Sequence, residues 1–286
     1  MRSWFPNFSE TGPYLRRGDR ISLEPIVGGV HEAYLDALIA HFAQEQGLSD
    51  FLIDVGANIG LTVFQNGHQF GRVLAYEPNP LVFNILKTNV ALAGHENVEL
   101  VNAGLAANDG IVELSVPRGN FGGAFIAEGN HLSRAELMKK DGLEESSSKS
   151  RHLKLDVALE GQAKFEERLT SFAPIGTKGM VKVDVEGYEP EVLRVLLPAL
   201  AGREFAVVFE NLAGCKVSEV IGSLDLVSAF SVKVYRVTWS RRNGGSRLRQ
   251  VINLVRDGGY VWDMVEVSID DTISAGEDVV IHCRPT

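Results

Sequence analysis

One stretch constrains this chain more than any other: residues 51–60, which read FLIDVGANIG. Its apolar run is broken only by Asp54 and stops at Gly56, as a buried parallel strand does where it enters a tight turn. The turn has the form D-x-G-x-N-x-G, with Gly56, Asn58 and Gly60 where the backbone must bend sharply or let a ligand approach. A lone carboxylate in an apolar strand costs free energy unless it has a purpose. The stretch therefore predicts a cofactor-binding loop.

Alternating strand and helix patterns predict an α/β fold with a doubly wound, mostly parallel sheet. Strands are expected at residues 51–55, 72–78, 98–104, 180–185, 204–211, 231–239 and 278–283, and helices at residues 31–46, 59–70, 80–93 and up to Pro198. Residues 111–116 follow an Asn-Asp-Gly turn and predict an antiparallel insertion. We expect residues 1–47 to form an N-terminal extension of short strands and a helix, packed on a core domain of residues 48–286. A loop or lid insertion is expected near residues 117–150.

Composition and charge exclude several classes of protein. At 45% hydrophobic and 23% charged residues, the chain has the balance of a globular protein rather than a disordered one. No apolar run reaches the ~20 residues that a membrane helix needs, and the N-terminus lacks the apolar core of a signal peptide. We therefore expect a cytoplasmic protein with no membrane span. The net charge of -9 argues against nucleic acid as a partner, because nucleic-acid binding requires a basic face.

Two minor features leave alternatives open. The arginine-rich segment 236–249 fits a solvated hairpin, and it also fits contact with an anionic substrate. The two cysteines, Cys215 and Cys283, lack the spacing of metal ligands. They are expected to be buried thiols.

Polar or acidic residues stand at four predicted strand ends, which is where parallel sheets bind ligands. They are Asp54, Glu77, the cluster at residues 184–189, and Glu210 with Asn211. Because the carboxyl ends of parallel strands meet at one edge of the sheet, we expect these residues to surround one site.

The first question is whether the cofactor is a dinucleotide. Glu77 lies about where the dinucleotide fold places its ribose-binding acid. However, Asn58 and Leu61 stand where G-x-G-x-x-G requires glycine, and Asp54 would place a negative charge near two phosphates. A ribose-bearing cofactor without phosphate and with positive charge suits these residues better. S-adenosylmethionine is such a molecule: its ammonium and sulfonium can face Asp54, and its ribose diol can bind Glu77.

Three segments now identify a family. They are LIDVGANIG, LAYEPNPLVFNILKTNV and VKVDVEGYEPEVL, and they occur in this order. Over about residues 50–215 the chain closely resembles the FkbM family of S-adenosylmethionine-dependent methyltransferases, and VDVEGYE is the most specific part. The resemblance implies a class I methyltransferase (Rossmann-like) fold: a doubly wound, mostly parallel seven-stranded sheet with an antiparallel last strand. It also implies O-methylation of hydroxyl groups, commonly on sugars of glycans or on polyketide-type natural products.

The resemblance also implies roles residue by residue. Cofactor roles fall on Asp54, Gly56, Asn58, Gly60, Glu77 and Asn79. The reaction site is implied to include Asp184, Glu186 and Glu189, although acids in the first turn of a helix also stabilise its dipole. Many class I methyltransferases bind the adenine amine with an acid just after the third strand, where this chain has Asn102. We therefore expect adenine to be read by backbone groups or by Asn102.

Proton removal from the acceptor leaves two alternatives. A hydroxyl is a poor nucleophile, so a base or a metal must help to remove its proton. Asp184 and the Glu210–Asn211 pair end neighbouring strands, and three oxygen ligands with open positions would suit Mg²⁺. The alternative is metal-free catalysis by a carboxylate or a histidine, with His131 as the candidate histidine. Asp184, Glu186 and Glu210 are the candidate catalytic residues.

The predicted acceptor is a small molecule or glycan that carries a hydroxyl. The oligomeric state stays open, a homodimer included. Two other functions remain: an NAD-dependent oxidoreductase, which the missing glycines disfavour, and a non-catalytic interaction module on the same fold.

Overall fold

The structure is a computed structural model, and it describes residues 12–16, 21–22, 31–118, 120–130, 152–212, 214–221, 230–241 and 260–286. The helices are α1 (Ala33–Ala40), α2 (Leu61–Asn66), α3 (Pro80–Ala93), α4 (Gln162–Phe172), α5 (Glu189–Ala199) and α6 (Val217–Ile221). The strands are β1 (Phe51–Val55), β2 (Arg72–Tyr76), β3 (Val98–Val101), β4 (Gly104–Leu105), β5 (Gly110–Pro117), β6 (Phe125–Ile126), β7 (His152–Glu160), β8 (Lys178–Val183), β9 (Glu204–Asn211), β10 (Phe230–Arg241), β11 (Tyr260–Val267) and β12 (Glu277–Pro285).

The main sheet has the strand order β11-β10-β12-β9-β8-β1-β2-β3. Strands β3, β2, β1, β8 and β9 are parallel. The last strand, β12, is inserted between β9 and β10 and runs antiparallel to both. This is the predicted class I methyltransferase arrangement, so the fold class is confirmed. Within the described residues the sheet has eight strands, one more than predicted, because β11 pairs antiparallel with β10 at the edge.

A second, smaller sheet has the order β4-β7-β5-β6. The antiparallel insertion predicted after the Asn-Asp-Gly turn is confirmed, since β5 runs antiparallel to β6 and β7. Its apolar side chains, Leu114 and Val157 among them, pack with Ile59 and Leu61 next to the predicted cofactor loop. The remainder of the predicted lid, including His131, lies outside the described residues. So do most of the predicted strands before residue 31 and most of the arginine-rich segment.

Several element boundaries differ from the predictions. The helix expected at 59–70 is α2 followed by a 3-10 turn at Gly67–Gln69, and the helix expected at 31–46 is α1 followed by a π-helical turn at His41–Glu45. Strand β8 ends at Val183, which leaves Asp184 as the first residue after it. Pro198 lies inside α5, one residue before its end. A proline has no N–H to donate to the preceding turn, but its carbonyl can still accept a hydrogen bond, so the helix continues for one more residue.

The main sheet buries apolar side chains on both faces. Phe51, Ile53 and Val55 of β1 pack in one core with α4 and α5, whereas Leu52 packs with α1 in the other. Because side chains alternate along a strand, Asp54 lies on the α1 face together with Leu52. In the described part of the chain, no helix combines the length and apolar character needed to cross a membrane.

Candidate active site

A cleft of about 670 Å³ opens at the carboxyl ends of β1, β2 and β8. The cleft brings together five of the residues that the sequence singled out: Gly56, Asn58, Glu77, Asp184 and Glu186. Because β1 lies between β8 and β2 in the sheet, Glu77 and Asp184 stand on either side of the turn that follows β1.

The turn after β1 requires the residues it has. Gly56 has a φ of 85°, and a Cβ at this position would lie 1.9 Å from the carbonyl oxygen of Asp184. Asn58 also has a positive φ, and its side-chain Oδ1 accepts a hydrogen bond from the backbone N–H of Ile59. Gly60 is the N-cap residue of α2, and a Cβ there would lie 2.3 Å from Leu86 Cδ1. The glycines therefore let the turn approach Asp184 on one side and α3 on the other.

Glu77 connects the end of β2 to this turn. Its Oε2 accepts a hydrogen bond from the backbone N–H of Asn58 at 2.9 Å, and its Oε1 accepts one from the N–H of Asn79 at 2.7 Å. Burial raises the pKa of Glu77 to about 7, and these two backbone donors oppose that rise. Each carboxylate oxygen has a second lone pair, so Glu77 keeps acceptor capacity for a ligand in the cleft.

Asn79 and Asn102 do not line the cleft but shape the backbone around Glu77. The Oδ1 of Asn79 accepts from the N–H of Leu81 and caps α3, as the sequence predicts for an N-cap residue. The Nδ2 of Asn102 donates to the carbonyls of Glu77 at 2.8 Å and Pro78 at 3.2 Å. A direct contact of either residue with a cofactor stays a prediction.

The acidic turn after β8 is held from two sides. Glu189 is buried, and its Oε1 accepts from the backbone N–H groups of Val185 at 3.1 Å and Gly187 at 3.2 Å. Asn130 Nδ2 donates to the carbonyl of Glu186 at 3.1 Å. Glu189 therefore organises the turn and lies outside the lining of the cleft, whereas Glu186 lines it.

Asp54 also lies outside the lining of the cleft. It is fully buried, and neither carboxylate oxygen has a hydrogen-bond partner within the part of the chain that the structure describes. Burial raises the pKa of Asp54, and the ammonium of Lys182, with Nζ 3.6 Å from Oδ1, opposes that rise. The role of Asp54 in binding a cofactor stays a prediction, and the structure adds the ion pair with Lys182.

Sequence reasoning missed Lys182, which connects Asp54 to the cleft. Its Nζ lies 3.1 Å from Oδ2 of Asp184, and only 7% of the residue is exposed. Burial lowers the pKa of Lys182, but Asp184 and Asp54 more than compensate, and the net shift is upward. The sequence did contain a signal for Lys182: it is a lone charged residue in the apolar run MVKV, and such a charge costs free energy unless it has a purpose, as argued for Asp54.

Glu210 lies on the α1 face of the sheet, outside the lining of the cleft. In the register of β9 and β12 it stands opposite Asp278. The hydroxyl of Tyr34 donates a hydrogen bond to Asp278, whose pKa is raised to about 7, chiefly by burial. Sequence reasoning missed both Tyr34 and Asp278, because their partners come from distant segments.

The predicted magnesium ligands find no support. Asn211 Nδ2 donates to the carbonyls of Cys215 at 2.9 Å and Ile273 at 3.3 Å, so this amide holds the loop after β9. Among the described residues, no group of three or more His, Cys, Asp and Glu side chains is placed to hold a metal ion.

The N-terminal segment supports the turn after β1 from outside. Asn89 of α3 donates from Nδ2 to the carbonyl of Ile59 at 2.7 Å, and its Oδ1 accepts from the N–H of Tyr14 at 2.5 Å. The guanidinium carbon of Arg16 lies 3.4 Å above the ring centroid of Phe121, which lines the cleft. Residues 12–16 therefore connect to the turn through Asn89 and contact a wall of the cleft through Arg16.

Comparison with known proteins agrees with this arrangement. Residues 54–261 match the family model described as the Methyltransferase FkbM domain. This chain belongs to the FkbM methyltransferase family. Methyltransferase sdnD of Sordaria araneosa is 29% identical over 156 residues, which cover 50% of this chain and 59% of that protein. Methyltransferase 1 of Beauveria bassiana is 24% identical over 149 residues, which cover 51% of this chain and 58% of that protein. The FkbM chain therefore spans less than two thirds of the length of these relatives.

Solved structures with a related shape are remote. An O-methyltransferase from Bacillus cereus in complex with SAH has a TM-score of 0.41 at 10% identity and covers 93% of this chain and 84% of its own. A precorrin-6y C5,15-methyltransferase from Geobacter metallireducens has a TM-score of 0.41 at 11% identity, and the match covers 88% of this chain and 87% of that one. Likeness at this level carries no argument about the activity of the FkbM chain.

The cleft of the FkbM chain fits the family's cofactor by its chemistry. The described residues that line it include no Lys or Arg, and they include three carboxylates: Glu77, Asp184 and Glu186. Such a lining disfavours a pyrophosphate and suits a cationic ligand. Apolar side chains provide a surface for a flat base, and they are Leu105, Leu114, Phe121, Ile126 and Leu159. The lining of the cleft therefore fits S-adenosylmethionine, and the binding of its ribose by Glu77 stays a prediction.

Proposed function

We propose that this FkbM-family chain is an S-adenosylmethionine-dependent O-methyltransferase that acts on a sugar hydroxyl of a glycan or a glycosylated natural product. One observation carries the proposal: a single cleft presents Glu77 on one side of the β1 turn and Asp184 with Glu186 on the other. The first carboxylate suits a ribose, and the second pair suits the hydroxyl that reacts.

The cofactor, when bound, supplies an electrophilic methyl carbon on a sulfonium. The protein's own contribution is to place the acceptor oxygen in line with that carbon, since well-oriented reactions gain effective molarities of about 10⁵ to 10⁸ M. Apolar residues around the cleft exclude water, which would otherwise compete for the same position.

We propose that the carboxylate of Asp184 is the base that removes the proton of the acceptor hydroxyl. This side chain is 45% exposed and lines the cleft, so an acceptor can reach it. The buried ammonium of Lys182 lies 3.1 Å from one of its oxygens. Glu186, two residues later in the same turn, is proposed to orient the acceptor through a hydrogen bond. Glu210 is proposed to extend the acceptor site toward Asp278.

Ligand-dependent thermal unfolding tests the cofactor. A ligand that binds only the folded protein raises its melting temperature, so S-adenosylmethionine and S-adenosylhomocysteine should each stabilise the chain, whereas NAD should not. Stabilisation by NAD alone would favour the oxidoreductase. Stabilisation by S-adenosylhomocysteine without any turnover would favour the non-catalytic module.

Methyl-labelled S-adenosylmethionine tests the acceptor. The protein is incubated with a panel of glycans and glycosylated natural products, and the position of the label is determined by mass spectrometry and NMR. Label on a sugar oxygen is expected. Label on nitrogen, on carbon or on a non-sugar oxygen would overturn the corresponding part of the proposal.

A further inference from the structure

Lys182 is a buried cation held between two carboxylates. It lies on β8 directly opposite Asp54 of β1 in the strand register. Its Nζ is 3.6 Å from Asp54 Oδ1 and 3.1 Å from Asp184 Oδ2. Of the three side chains, Asp54 is fully buried, Lys182 is nearly so, and Asp184 reaches the cleft. The three charges therefore form a row from the core of the sheet to the proposed reaction site.

Folding alone does not explain this row. Met180, two residues earlier on the same face, packs among Leu52, Ala206 and the side chains of α1. An apolar residue in place of Lys182, with a matching one in place of Asp54, would continue that packing, and such replacements of buried ion pairs are often neutral or stabilising. Asp54 has no hydrogen-bond partner among the described residues, so the ammonium is what its carboxylate contacts.

We propose that Lys182 is a positioning residue for methyl transfer: anchored by Asp54, its ammonium holds the carboxylate of Asp184 ionised and oriented toward the acceptor hydroxyl. The inference rests on the proposed function, since it concerns the group assigned as the base. Asp54 then acts from the core through Lys182, which accounts for its place outside the lining of the cleft.

The surroundings of Lys182 strengthen this role. Lys182 interacts electrostatically with four carboxylates: Asp54 on β1, Asp184 after β8, Glu32 before α1 and Glu77 after β2. Asp278 on β12 in turn interacts electrostatically with Glu32 and Asp184. His31 also acts on Asp54. Without the ammonium, several carboxylates would repel one another, and Asp184 would take up a proton at higher pH. A protonated Asp184 cannot accept the proton of the acceptor hydroxyl.

The first test compares Lys182→Met with Lys182→Arg in the full chain. Lys182→Met should lower kcat by about 100-fold, in the range that a general base contributes. Affinity for S-adenosylhomocysteine, measured by calorimetry, should stay within about threefold, because this residue does not line the cleft. Lys182→Arg keeps the charge and should restore most of the activity.

Lys178→Met is the matched control. Lys178 begins the same strand, is half-exposed, and pairs with Glu204 at 2.8 Å, far from the cleft lining. Its replacement should leave kcat and the pH profile unchanged. Lys182→Met, in contrast, should move the acid limb of kcat to higher pH by about one unit or more.

A second measurement needs no turnover. In protein labelled with ¹³C at the aspartate carboxyls, the Asp184 signal should titrate at higher pH in Lys182→Met than in the wild type. If Lys182→Met does not fold, the double variant Asp54→Leu/Lys182→Met takes its place, because it removes both buried charges together. A folded variant with wild-type kcat, pH profile and Asp184 titration would overturn the inference. Wild-type protein that binds S-adenosylhomocysteine but transfers no label would overturn the proposed function instead.

Discussion

Glu77 and Asn58 are joined by a hydrogen bond of 2.9 Å between the carboxylate Oε2 and the backbone N–H, which ties the end of β2 to the turn after β1. The same carboxylate holds the N–H of Asn79 at the start of α3. One side chain thus fixes two backbone segments and still faces the cleft, so loop geometry and ligand affinity should change together when it is altered.

Glu77→Gln should weaken binding of S-adenosylhomocysteine by about 10–100-fold. A glutamine has only one acceptor oxygen for the two backbone donors, and losing a charged hydrogen-bond acceptor costs about 1.5–3 kcal/mol. Calorimetry measures the effect. The control is Glu113→Gln on β5, which removes a half-exposed carboxylate paired with Lys154 and should leave affinity unchanged. Unchanged affinity in Glu77→Gln would remove the ribose assignment.

Gly56→Ala should abolish cofactor binding and destabilise the fold by about 1–3 kcal/mol, because the new Cβ would collide with the carbonyl oxygen of Asp184 at a positive φ. Gly94→Ala is the control. Gly94 also has a positive φ but has open space around it, so it should cost about 1 kcal/mol and leave binding intact. Equal effects of the two substitutions on binding would show that only backbone strain matters.

Asp278 should make stability depend on pH. Its pKa is raised from 3.8 to about 7, so between these values the folded state keeps a proton that the unfolded state releases. Its contribution to stability is therefore greatest below pH 3.8 and declines as the pH rises to about 7, by about 1.4 kcal/mol per pH unit.

Asp278→Asn should flatten this slope between pH 5 and 7, measured by urea denaturation at fixed pH values. Because Glu77 and Glu189 also have raised pKa values, the difference between wild type and variant is the informative quantity. A difference that does not change with pH would contradict the assignment.

Arg16→Ala should weaken cofactor binding by roughly threefold. The guanidinium lies over the ring of Phe121, and such a contact contributes about 0.5–1 kcal/mol at an exposed site. Lys87→Ala removes a comparable contact with Phe83 on α3 and serves as the control. Equal affinities of the two variants would show that the N-terminal segment does not support the cleft.

EDTA should leave turnover unchanged. The charge next to Asp184 is the ammonium of Lys182, and the described residues contain no set of three candidate metal ligands. Loss of activity on chelation, followed by rescue with Mg²⁺, would instead support the metal-assisted alternative.

The local features of the site could be predicted because short-range chemistry determines them. Gly56, Asn58 and Gly60 occupy positive-φ positions that few residues tolerate, and Asn79 caps a helix whose first residue is a proline. Glu77 follows an apolar strand at a position that the dinucleotide and methyltransferase patterns share. The family follows from these segments, and the resemblance implied the mostly parallel sheet with its antiparallel last strand.

The electrostatics of the site could not be predicted in this way. Asp54 meets Lys182, and Glu210 meets Asp278, only through the register of strands that are far apart in sequence. Likewise, the edge strand β11 pairs with β10 beyond the last family motif, and Arg16 reaches Phe121 across the fold.

The sequence by itself determined where the backbone turns and which residues end the strands, since those depend on dihedral preference and apolar patterning between neighbours. Only the tertiary structure decided which charges face one another. A cross-strand ion pair depends on burial and on distances of 3–4 Å between side chains, as between Lys182 and its two carboxylates, and no local pattern specifies these. The turn after β1 could be predicted from FLIDVGANIG, but the pairing of its Asp54 with the ammonium of Lys182 could not.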